Sequence, residues 1–140
     1  MIKPAPADQG GITQDEIGYT ETISQSTHGF LAFDVVRWTG ATWTKAQADT
    51  AENAGDGFRI GIVDNVPNTN SFVLREKGIL VGAHGISSSD GMELFLKAGD
   101  PGMMVTWDEQ TTAPICLKLG SAINMTHILV DIDEGYATGN

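Results

Sequence analysis

Along residues 28–134, apolar and polar positions alternate over short runs, and most runs end at glycine, proline or asparagine. Period-two alternation puts successive side chains on opposite faces of a strand, so each run predicts a strand. In residues 30–38, Phe33 and Val35 take one face while Val36 and Trp38 take the other. Gly40 marks a turn, and residues 42–45 read as the returning strand. Phe58, Ile60 and Ile62 share a face of the next strand, which runs to a turn predicted at Pro67-Asn68. Residues 71–75 and 79–81 follow as two strands, with a turn predicted between them at Lys77-Gly78. Met92, Leu94 and Leu96 alternate with Glu93, Phe95 and Lys97. The cluster Gly99-Asp100-Pro101-Gly102 then separates them from runs at 103–107 and 115–119. Last, Ile128, Val130 and Ile132 alternate with His127, Leu129 and Asp131. About nine short strands at this spacing predict an all-β sandwich, barrel or jelly roll. Residues 45–54 are Ala-rich without an apolar stripe, which fits a polar loop or one loose helix.

Residues 1–27 break the pattern. Pro4, Pro6, Gly10, Gly11 and Gly18 interrupt any period, and Ile2, Ile12, Ile17, Tyr19 and Ile23 stand isolated among polar residues. The segment reads as an extended arm, with a short strand near residues 19–24, whose isolated apolar residues anchor it wherever a partner offers pockets. An unanchored terminus is the plainer alternative. The organisation expected is an arm over 1–27, a single β-domain over 28–134 and a frayed tail over 135–140.

With 140 residues, 41% of them hydrophobic and 19% charged, the chain suits one globular domain. Its formal net charge of −10 repels phosphate backbones, and its eight Lys and Arg form no run, so nucleic acid is excluded as a partner. Cys116 is the single cysteine, which rules out an intrachain disulfide and a cysteine metal cluster. The start, Met1-Ile2-Lys3-Pro4, carries no apolar run of signal-peptide length, and no stretch nears the roughly 20 apolar residues that span a bilayer. A soluble protein without a membrane partner is expected.

Candidate chemistry is sparse. His28, His84 and His127 lack ligand-like spacing. His84, Ser87, Ser88, Ser89 and Asp90 bring hydrolase residue types together, but Gly85-Ile86-Ser87-Ser88-Ser89 is not a nucleophile elbow, and turn capping accounts for the serines. Asp131, Asp133 and Glu134 begin like a calcium loop, yet Gly135 comes one position early and no later Glu completes it. Asn124-Met125-Thr126 spells a glycosylation site without a secretory route to it. No catalytic residue, metal site or cofactor is therefore expected. Trp38, Trp43 and Trp107 read first as core or interface aromatics, and second as stacking platforms.

The residues His28-Gly29-Phe30, Asp34-Val35-Val36-Arg37-Trp38, Gly40, Trp43, Lys45-Ala46-Gln47-Ala48-Asp49 and Ala51-Glu52-Asn53-Ala54, continued by Gly61-Ile62-Val63, Phe72-Val73-Leu74 and Gly78, form a string of short motifs. In them the middle of the chain resembles a β-module of tailed-bacteriophage virion proteins, found in tail fibres and small capsid decoration proteins. Fibre modules often carry a paired aromatic where this chain reads Met92-Glu93-Leu94-Phe95-Leu96, and no coiled-coil shaft is present. The resemblance thus implies a capsid decoration (cement) protein: a β-sandwich or jelly roll on the capsid exterior, made in the host bacterial cytoplasm. It would bind the major capsid protein and itself, as a dimer or trimer. The alternative is a tail-fibre or adhesin module that binds a host-surface receptor, with Trp43 or Trp107 stacking on a sugar.

Overall fold

The computed structural model describes residues 19–55, 58–86, 90–107, 114–132 and 137–138. The protein is all-β, and these residues hold eleven strands: β1 (Tyr19–Ser24), β2 (Val35–Trp38), β3 (Trp43–Lys45), β4 (Ile60–Asn68), β5 (Ser71–Val81), β6 (Glu93–Leu96), β7 (Met104–Thr106), β8 (Ile115–Cys116), β9 (Lys118–Asn124), β10 (His127–Asp131) and β11 (Ala137–Thr138). Nine of them make one antiparallel sheet in the order β3-β2-β4-β5-β10-β9-β6-β7, with β1 beside β5. β8 and β11 pair separately.

The strand expected near residues 19–24 is β1. It pairs along β5 from Ser24↔Ser71 to Tyr19↔Lys77, so this part of the proposed arm lies on the domain itself. The expected turn at Lys77-Gly78 is absent: β5 runs unbroken for 11 residues. Gly78 sits inside it with φ of 100°, and a glycine there bends a strand instead of reversing it. β5 is consequently shared in two instalments, pairing with β1 up to Lys77 and with β10 from Lys77 to Val81.

Other boundaries shift for local reasons. Pro67 and Asn68 stay within β4, and the reversal falls at Thr69-Asn70, where Asn68 Oδ1 accepts the Asn70 N–H at 2.8 Å. Phe58 lies outside β4 and is 51% exposed. Phe30 reaches the core from a loop and Phe33 has φ of 75°, so β2 begins only at Val35. Residues 45–54 resolve as turns after the end of β3, the loop alternative. They are tied in by Ala46 N–H to Val35 O and Ala48 N–H to Lys97 O.

The sheet contains the same unit twice. The first half orders its strands β3-β2-β4-β5-β1, and the second orders them β7-β6-β9-β10-β5. The second part of β5 therefore stands in the second half where β1 stands in the first. Registers agree: Asn68↔Ser71 matches Asn124↔His127, Trp38↔Trp43 matches Leu96↔Met104, and Ser24↔Ser71 matches Val81↔His127. So do the clamps between loop and hairpin. His28 Nδ1 accepts the Phe30 N–H at 2.9 Å, and its Nε2 donates to Asn68 O at 2.9 Å. His84 Nδ1 accepts the Ile86 N–H at 3.1 Å, and its Nε2 donates to Asn124 O at 2.7 Å. The glycine after each histidine has the same left-handed backbone, φ 72° at Gly29 and 74° at Gly85.

Each half has its own interior. Phe30, Val36, Val63, Phe72 and Leu74 fill the first; the equivalent Ile86, Leu94, Leu119, Ile128 and Val130 belong to the second. Val35 and Ile62, paired on the opposite face of β2 and β4, join the second cluster, as do Ala46, Ala48 and Ala54. The first half is thus buried on both faces, one of them against the second half.

Candidate functional site

Two surfaces stand out. The first is the outer face of β5, β10, β9 and β6. Alternation sends Leu80, Ile128, Val130, Ala122 and Leu94 inward, and it turns Ile79, Leu129, Ser121 and Glu93 outward as one row across four strands. Leu129 lies directly opposite Ile79, and Val81 lies opposite His127. Val81 is 64% exposed, Ile123 48%, Leu129 40% and Ile79 37%, with Met125 and Met92 nearby in the chain also open. At the rim, Lys77 faces Asp131 across the β5–β10 ladder, and Lys118 Nζ lies 2.8 Å from Glu93 Oε2. Opposite charges are therefore balanced around an apolar centre, on a chain with net charge −10.

The second surface is a cleft of about 440 Å³ in the first half, between β1 and β3, lined by residues of both strands with Trp38 and Arg59. These are the two ends of the five-strand order, and the curl of the sheet brings them together. Gln25, just past β1, closes part of the gap. Its Nε2 donates to Trp43 O at 3.0 Å and its Oε1 accepts the Trp43 N–H at 2.7 Å, so a side-chain amide replaces a strand partner. Trp38 and Trp43 meet at 5.6 Å with rings tilted by 55°. The Arg59 guanidinium lies 5.4 Å from the centre of the Trp43 ring, a cation–π distance. Arg59 also donates to Glu76 through Nη2 and Nε, at 2.5 and 3.1 Å, and to Glu21 through Nη2 at 2.8 Å. Bonding to Glu76, and then Glu21, raises its pKa beyond that of a free arginine despite partial burial. The cation is thereby fixed over the indole.

Of the residues singled out from sequence, Ile23, Trp38 and Trp43 converge on the first interior, Trp43 buried and the other two half-buried. Trp107 stands apart, 48% exposed and 5.3 Å from the Phe95 ring. Ile2, Ile12 and Ile17 lie outside the described residues, as do Ser87, Ser88, Ser89, Asp133 and Glu134; Tyr19 enters β1. His28 and His84 form the two hairpin clamps, and His127 Nδ1 lies within 3.1 Å of Asn124 Oδ1. Among the described residues no group of three His, Cys, Asp or Glu is placed to hold a metal ion. Sequence reasoning missed Arg59, Glu21 and Gln25, because their convergence depends on the closure of β1 towards β3. No protein-family model, curated protein or solved structure matches the chain.

Proposed function

We propose that the protein is a non-enzymatic structural component of a tailed-bacteriophage virion, a capsid decoration protein that stabilises contacts between major capsid protein subunits from outside the shell. The observation that carries this reading is the apolar outer face centred on Leu129 and Ile79. Water-exposed aliphatic side chains grouped on a stiff sheet, with a charge-balanced rim, mark a surface that gains by being covered. Fully burying an exposed aliphatic side chain is worth about 1.5–3 kcal/mol, and these, 37–64% exposed, gain about half of that each, so a face of several still supplies useful affinity without a deep pocket. The resemblance of the middle of the chain to virion β-modules points the same way.

In this reading the two halves pack as the layers of a β-sandwich, a form suited to a rigid clamp. Ile2, Ile12 and Ile17 supply apolar anchors for a second subunit and add a linked contact. Copies associate as dimers or trimers through free strand edges. The test is the copy number per virion, by quantitative mass spectrometry against the major capsid protein. A number comparable to that protein supports decoration, since only the shell offers so many equivalent sites. A handful of copies overturns it and assigns the protein to the tail.

A further inference from the structure

We infer that the cleft between β1 and β3 binds a neutral saccharide, a function separate from attachment to a shell. In the internal repeat, the second half shows what the same position looks like when it only packs. There Leu80 replaces Ile23, Leu96 replaces Trp38 and Met104 replaces Trp43, and these three are 1%, 0% and 6% exposed within a continuous aliphatic core. Gly82 stands where Gln25 stands, as their matching bonds to Thr126 O and Asn70 O show, and the Phe33 ring lies against it. In the first half, the same framework carries two indoles, an amide and an arginine, and it leaves about 440 Å³ open. That volume falls in the range of small-molecule sites.

The lining also selects the ligand class. Among the described residues Arg59 and Glu21 are the charged side chains lining the cleft; Arg59 is held by Glu21 at 2.8 Å and by Glu76 behind it, so an anion finds no free cation, and the Glu21 carboxylate facing the cleft is already engaged. Thr22, Ser24 and Thr42 add hydroxyl groups to the wall. A ligand that suits this wall is uncharged, donates and accepts many hydrogen bonds, and has an apolar face to lay on the half-buried Trp38 indole. A pyranose ring has all three properties. The fixed guanidinium–carboxylate pair offers donors and acceptors side by side for adjacent hydroxyls.

The test is a titration of the full chain with neutral mono- and disaccharides, following the indole N–H signals of Trp38, Trp43 and Trp107 by nuclear magnetic resonance. The expected result is a saturable shift of the Trp38 and Trp43 signals by at least one sugar, with Trp107 unmoved. Trp38→Leu, which copies the second half, is expected to weaken that sugar about tenfold, the factor given by about 1.4 kcal/mol of lost stacking. Arg59→Met, at an exposed position, provides a second variant expected to weaken it. The absence of any saturable shift overturns the inference, as does tighter binding of sulfated or sialylated sugars, or a shift confined to Trp107. All of these readouts are independent of copy number on the virion, so the two proposals fail separately.

Discussion

Replacing His28 with alanine removes three things at once, and their sum can be worked out. The first is the acceptor for the Phe30 N–H, which belongs to a residue only 6% exposed. A buried donor left without a partner costs about 1–3 kcal/mol. The second is the Nε2–H donor shared by Asn68 O and Ser71 O, both at 2.9 Å, worth about 0.5–1.5 kcal/mol net. The third is ring contact, stacked on Phe30 at 5.4 Å and edge-on to Phe72 at 5.3 Å, worth about 0.5–1.5 kcal/mol. The ranges sum to about 2–6 kcal/mol, and because the bonds of the His28 ring are only partly buried, a loss in the lower half of that range, about 3 kcal/mol, is expected. His84 occupies the equivalent place and makes the equivalent bonds, but its neighbour Ile86 is half-buried and its nearest ring, Phe33, is 6.4 Å away. His84→Ala is therefore expected to cost about half as much, roughly 1–2 kcal/mol. Urea denaturation followed by tryptophan fluorescence measures both, given a slope shared by the variants. At about 4 °C per kcal/mol for a chain of this size, His28→Ala lowers Tm by about 12 °C. A His28→Ala loss below that of His84→Ala would refute the assignment of the cost to a buried amide and ring stacking.

Leu129→Asp is expected to leave Tm within a few degrees, because the side chain is 40% exposed, while abolishing saturable binding to capsids stripped of the protein; a thermal melt reads the first and sedimentation of protein with shells the second. Gly120→Ala is expected to be severe, since a Cβ there falls 1.9 Å from Leu129 O and forces β9 from β10; loss of a cooperative melting transition is the readout. Gly85→Ala meets nothing within 4 Å and carries only the cost of a left-handed alanine, about 1 kcal/mol by denaturant titration. Arg59→Met removes exposed ion pairs with Glu21 and Glu76, and a stability change below about 1 kcal/mol is expected in the same assay.

Strands with one buried face were legible in the sequence. In β10 the inward Ile128 and Val130 are 1% and 0% exposed, as period-two alternation requires. Legibility failed where a glycine does something other than turn the chain. Gly78 looks like a break because Lys-Gly usually ends a strand, yet its positive φ only bends β5, and pairing to β10 beyond it decides the outcome. The duplication left a trace in the spacing: His28 and Asn68 stand 40 residues apart, as do His84 and Asn124. Its interior positions keep hydrophobicity without identity, Trp38 and Trp43 against Leu96 and Met104, so residue matching alone does not reveal it. The cleft was half legible: the aromatics were named, but Arg59 reaches Glu21 across 38 residues of chain, a meeting that follows from β1 and β4 both pairing with β5.

The strand shared by the two halves has a consequence for the nascent chain. Once synthesis has passed Val81, β1 to β4 can close around the first part of β5, but the remainder must wait for β10, whose Leu129 lies some 50 positions beyond its partner Ile79. During that interval an apolar strand end with unsatisfied amides is presented to every neighbouring chain leaving the same message. Crowded synthesis, as when a protein is needed in many copies at once, therefore favours pairing between chains at that edge. A slower elongation rate does not relieve this exposure; it prolongs it.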